Sequence, residues 1–192
     1  MNLHPLEAVA SGESLGVAVI AAPAGDLVPV STSAGAVDIV DDKTRRLQDI
    51  MRTMPQFNGF KTRHWFANGM YCRSWWCPAN VTTVGGIHRH EHFAMLVQGE
   101  ALIYVDGKAE RHVAPAVFVS TPNTKRIVYS VTDVEILTVN LLPDPNERDL
   151  DKILQQITNQ EADPPRLFDA NNQLKDPALA DQRAPMIEEQ ST

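Results

Sequence analysis

Three histidines fall within five residues, His88, His90 and His92, and Glu91 stands between the last two. Imidazole and carboxylate are the usual donors to borderline metals, so this cluster predicts a site for one divalent ion, Zn, Fe, Mn or Ni according to geometry. If the run is extended, its alternate side chains share a face and the three imidazoles line one patch. A local bulge would instead turn His88 and His92 inward together with Glu91. His64, His112 and Glu100 are the donors that neighbouring strands would have to bring up to complete a ligand set.

Other reactive side chains carry less. Cys72 and Cys77 are the only cysteines and sit five apart in one strand-like run, so they point to opposite faces and do not bridge. Reduced thiols of this kind are expected in a chain that folds inside the cell. Neither Ser120 nor Cys72 lies in a catalytic triad signature. Trp65, Trp75, Trp76, Tyr71 and Phe66 would make a stacking platform if they shared a face, but strand aromatics ordinarily pack a sheet. By parity Arg73 shares a face with Tyr71 and Trp75, either as an inward polar position or in a surface row.

The elements that must position these groups are strands. From Thr62 the runs TRHWFA, MYCRSWWC, HFAMLVQG, EALIYVDG, AVFVST, KRIVYSV and VEILTVNLL alternate with period two. Turn signals separate them at Asn68-Gly69, Gly85-Gly86, Gly99, Asp106-Gly107 and Pro122-Asn123. Seven or eight short strands at this spacing predict a single all-β sandwich or barrel over residues 56–142.

Outside the barrel the pattern changes. Residues 38–55 read as a short amphipathic helix, capped by Asp41 or Asp42, with Leu47, Ile50, Met51 and Met54 on one face and Pro55 as its stop. Residues 143–160 read as a second helix, with Leu150, Ile153, Leu154 and Ile157 facing the barrel. Residues 1–37 have no sustained period and predict an extended N-terminal arm. Residues 161–192, rich in Pro, Asn, Gln and Asp, predict a polar C-terminal tail without structure of its own.

The net charge of −7 is concentrated in these arms, with six acids and no base in residues 1–42. No basic stripe is visible, so nucleic acid is not an expected partner. No apolar run approaches the roughly 20 residues of a membrane helix, so no membrane is expected either. The early stretch GVAVIAAPAG has no Lys or Arg before it and is interrupted by Pro23, which argues against a secretory signal.

The stretch GGIHRHEHFAMLVQGEALIYVDG resembles the first motif of the cupin superfamily, the RmlC-like jelly rolls. The resemblance implies a double-stranded β-helix whose metal-binding members hold one ion with three histidines and a Glu. Anchored on Gly99, the Glu position falls on His92, the second histidine on His88 and the first on Gly86. In VAPAVFVSTPNTKRIVYS, which stands where the second motif belongs, the third histidine position is Arg126. Arginine has no lone pair to donate. The resemblance therefore implies an altered ligand set, with Arg126 and Tyr129 as pocket residues and an anion or acidic side chain as a fitting occupant.

Residues 60–160 are also similar to cupin-like proteins encoded by tailed bacteriophages and prophages. That likeness implies a non-enzymatic assembly protein, an accessory structural component of the virion, joined to copies of itself and to other protein chains through its arms. No cofactor is then expected. The alternative is a cytoplasmic metal-dependent cupin enzyme, an oxygenase, isomerase or lyase acting on a small polar molecule, with Arg126 clamping a substrate carboxylate.

Overall fold

In the computed structural model, residues 17–20, 41–159 and 164–181 are described. The predicted arms fall mostly outside that range, at residues 1–16, 21–37, 161–163 and 182–192. The chain builds strand β1 (Val17–Ile20), helix α1 (Asp42–Arg52), strands β2 (Lys61–Ala67), β3 (Met70–Cys77), β4 (Val81–Val84), β5 (His92–Gln98), β6 (Glu100–Val105), β7 (Lys108–Val113), β8 (Ala116–Ser120), β9 (Ile127–Ser130) and β10 (Val134–Leu141), and helix α2 (Leu150–Ile157).

The strands form two five-stranded antiparallel sheets, in the orders β1-β4-β9-β6-β7 and β2-β3-β10-β5-β8. Apart from the β2–β3 and β6–β7 hairpins, successive strands from β3 to β10 cross between the sheets, which is the jelly-roll pattern of a cupin-type barrel. Alternation sorts the side chains. Along β10, Val134, Ile136, Thr138 and Asn140 are buried, and Glu135 and Leu141 are not. The inward residues of both sheets make one core, with Trp75, Leu96, Ile103, Phe118, Val128 and Ile136 at its centre.

Gly99 joins β5 to β6 at φ +83, in the left-handed region, and a Cβ there would collide with the Asp133 carbonyl oxygen. Both constraints select glycine at the residue on which the motif resemblance was aligned. Asp106 and Gly107, at φ 47 and 83, close the β6–β7 hairpin as the sequence predicts.

Several elements differ from expectation. β7 escapes a search for alternation because its residues KAERHV are almost all exposed. α1 is shorter than 38–55, capped by the Asp41 carboxylate on the amides of Lys43 and Thr44. Its packed face is also rotated from the expected one, for it buries Thr44, Gln48 and Met51 and leaves Ile50 59% exposed. The reason is the partner surface, since Met51 and Leu47 cover Val84 and Ile127 on the outside of the first sheet. α2 begins at residue 150, capped by Asp149, and packs Ile153, Leu154 and Ile157 against Tyr71 and Leu142.

The described termini are less free than the sequence implies. Val17–Ile20 extends the first sheet by pairing with β4. Residues 164–181 are built onto the barrel. Phe168 enters the core at 5.9 Å from the Phe60 ring, and the Gln56 amide donates to Leu179 O at 2.6 Å. Asp169 closes this segment locally by accepting from the amides of Asn171 and Gln173. A low average hydrophobicity hides a few well-placed apolar groups.

Candidate functional site

The two ends of the barrel interior differ in chemistry. One end is apolar, around Trp75, Phe60 and Phe168. At the other end the inward positions become polar, with Arg73 on β3, Thr138 and Asn140 on β10, His92 on β5 and Ser120 on β8, all buried. His92 pairs directly with Ser120, and Thr138 with Arg73.

His88 reaches this end from the connection between β4 and β5. Backbone bonds hold the connection on two sides, Asn123 N to His88 O at 2.8 Å and Asn159 N to Ile87 O at 2.7 Å. Arg89 completes the brace by donating from Nε to Thr158 O at 2.7 Å. The His88 ring then stacks on His92, with centroids 4.1 Å apart and planes 26° from parallel.

The environment keeps His88 neutral. Its pKa lies well below 6.5, first because burial removes water and then because His92, Arg166 and Arg126 surround it, against a smaller opposing pull from the Asn140 amide. Neither His88 ring nitrogen closes a hydrogen bond of normal geometry among the described residues, and neither does Asn140 Nδ2. His92 Nδ1 faces the His90 carbonyl at 3.3 Å, which makes it the donor. Arg126 is buried beside them, with Nη1 donating to Ser120 Oγ at 3.4 Å.

The structure thus brings together His88, His92 and Arg126 and separates the other sequence candidates from them. His90 and Glu91 are exposed, because the chain turns between His88 and His92 and neither a full alternation nor an inward Glu91 results. Tyr129 lies outside the pocket. It sits between inward Val128 and Ser130 and donates its hydroxyl to Asn80 Oδ1 at 2.9 Å. Glu100 pairs with Arg111, and His112 packs edge-on against Phe118 with Glu110 3.7 Å away.

His64 serves another purpose. Asn171 Oδ1 is an acceptor, so His64 Nε2 donates to it at 3.1 Å and Nδ1 accepts from the Tyr71 hydroxyl at 2.8 Å. Burial pushes the Tyr71 pKa up to about 12 despite Arg73 and Arg166, so it remains a donor. This relay ties the 164–181 segment to β2 and β3.

A divalent metal of the cupin kind does not fit these residues. Among the described residues, two imidazoles are the only donors of that type gathered at the polar end, and no three His, Cys, Asp or Glu side chains converge. Arg126 and Arg166 act on the same point as fixed positive charges, which repel a cation.

Sequence reasoning left Arg73 undecided and missed Asn140 and Arg166. The signal for Asn140 was present, since Thr138 and Asn140 are polar at positions where the β10 alternation points inward. Arg166 had no signal, because it reaches the site from the segment read as an unstructured tail.

The outer face of the second sheet is the other notable surface. The register aligns Trp65, Cys72, Val139, Phe93 and Val119 in one row across all five strands. A parallel row carries Leu137, Met95 and Val117, with Arg63 at its edge paired to Glu135. Cys77, by contrast, points into the core and bonds to Ser130 Oγ at 3.0 Å, and neither cysteine forms a disulfide among the described residues.

No protein-family model and no curated protein matches this chain. Among solved structures, an RmlC-like cupin from Shewanella frigidimarina is 21% identical at a TM-score of 0.39, covering 48% of this chain and 81% of its own. A cupin superfamily protein from Desulfitobacterium hafniense is 12% identical at 0.39, covering 44% and 79%. Ectoine synthase from P. lautus is 14% identical at 0.38, covering 42% and 62%. These likenesses are of fold. No helix among the described residues is long and apolar enough to cross a membrane.

Proposed function

We propose that this chain is a non-enzymatic cupin-fold assembly protein, a rigid barrel that joins other protein chains and does not catalyse metal chemistry. The observation that carries the reading is Arg126, a buried permanent cation beside the stacked His88–His92 pair, where a metal-binding cupin would need its last imidazole. A barrel so altered keeps its scaffold while losing the donor set that oxygenase, isomerase or lyase chemistry requires. Placement in a bacteriophage particle rests on the HRHEH and TKR resemblance.

Elemental analysis tests this directly. Full-length protein expressed in medium supplemented with Zn, Fe, Mn and Ni is expected to carry far less than one metal per chain, with a melting temperature unmoved by chelator. One equivalent of metal, lost in both His88→Ala and His92→Ala, would overturn the proposal in favour of the enzyme.

A further inference from the structure

We propose that the polar end of the barrel binds a small organic carboxylate directly, without a metal ion, between the Arg126 guanidinium and the buried edges of His88 and Asn140. The assembly reading neither requires nor excludes such a ligand.

The strand register gathers the groups. Asn140 lies opposite Tyr71 on β3 and His92 lies opposite Ser120 on β8, all four buried. Ser120 Oγ accepts from Arg126 Nη1 at 3.4 Å, which holds the guanidinium beside the stacked His88 and His92 rings. At the same end α2 packs Ile153, Leu154 and Ile157 on Tyr71 and covers it with apolar side chains.

Both His88 ring nitrogens and Asn140 Nδ2 are buried here, on side chains 3% and 4% exposed, and close no hydrogen bond of normal geometry among the described residues. Buried polar groups ordinarily face a partner, so these atoms mark a place built to meet one.

The local charge selects the sign of that partner. Among the described residues, the permanently charged side chains that act on His88 are Arg166 and Arg126, and no carboxylate is among them. A cation would be repelled by the same two groups. His88 is kept neutral by burial, so one ring nitrogen carries a hydrogen and donates. Asn140 Nδ2 only donates, and a guanidinium donates in a planar fork that matches the two oxygens of a carboxylate. One carboxylate can therefore face Arg126 and accept from His88 and Asn140 together. Away from bulk water each of these interactions is stronger than at a surface. The surroundings are close-packed side chains, so the ligand is a short acid and not an extended one.

Calorimetric titration of chelator-treated full-length protein with acetate and with succinate, at constant ionic strength, tests the proposal. The expected result is saturable binding of one acid per chain, with a shift of the His88 ring signals in NMR that the exposed His90 ring does not share. Arg126→Gln and Asn140→Leu should each weaken the affinity at least tenfold. Arg111→Gln, on the exposed strand β7, should bind as the wild type does. If Arg126→Gln does not fold, Arg126→Lys keeps the charge without the fork and should show the same loss. Absence of saturable binding by either acid overturns the proposal, as does binding that moves His90 and leaves His88 unchanged. Phosphate that binds more tightly than both acids overturns the ligand class. Metal found in untreated protein bears on the assembly reading alone, because the titration follows chelation.

Discussion

His88 is a neutral imidazole held where a charge would be costly, and that has a consequence for stability. The unfolded chain takes up a proton near pH 6.5, whereas folded His88 does so only well below that value. Above 6.5 both states leave it neutral and the full stability is present. As the pH falls from 6.5 toward the folded pKa, the unfolded state alone binds the proton and stability is lost, by up to about 1.4 kcal/mol per pH unit for one group. Urea denaturation at pH 7.5 and 5.5 should therefore show a loss that His88→Gln reduces, and the His88 ring should give neutral-imidazole NMR shifts at pH 5.5. A His88 resonance titrating near 6.5 would contradict the buried arrangement.

The helices and the C-terminal segment show how elements are chosen by what they cover. α2 is placed by its own sequence, since the Asp149 cap and the Ile153–Leu154–Ile157 stripe agree. The face of α1 is instead selected by Val84 and Ile127, which lie far along the chain. The largest apolar anchor of the segment 164–181 is the Phe168 ring among Phe60 and Trp75. Phe168→Ala should cost about 3 to 5 kcal/mol, the range for deleting a buried phenylalanine. In limited proteolysis it should expose cleavage after residue 160, while the barrel strands persist. A segment that stays protected in this variant would mean that the Asn171–His64–Tyr71 relay and the Gln56 pairing hold it alone.

For the whole molecule, the proposed assembly role and a sheet face exposed at Phe93, Val117 and Leu141 lead to one expectation about stability. Association that buries the Phe93 face adds free energy to the folded state by mass action. The melting temperature should accordingly rise with protein concentration in the wild type and be independent of it in Phe93→Glu. A concentration-independent wild-type melt, measured across a wide range of protein concentration, would count against any role for this face in folding.

Much of this molecule was legible before any coordinates. The period of two from Thr62 and the glycine at residue 99 determine the strands and the tightest turn, because alternation and positive φ are local demands. Arg126 could likewise be singled out from type and position, and it lies buried with Nη1 on Ser120. What the linear chain did not decide was which histidines meet. Those at 88 and 92 stack only because the loop between them is braced by Asn123, Thr158 and Asn159, and the one at 90 is left in solvent. Arg166 and Phe168 come from a stretch whose composition resembles a free tail, and the burial of Phe168 depends on a core that other strands create. Local chemistry is written in the order of residues, but burial is a relation between distant ones, so only the assembled barrel could settle it.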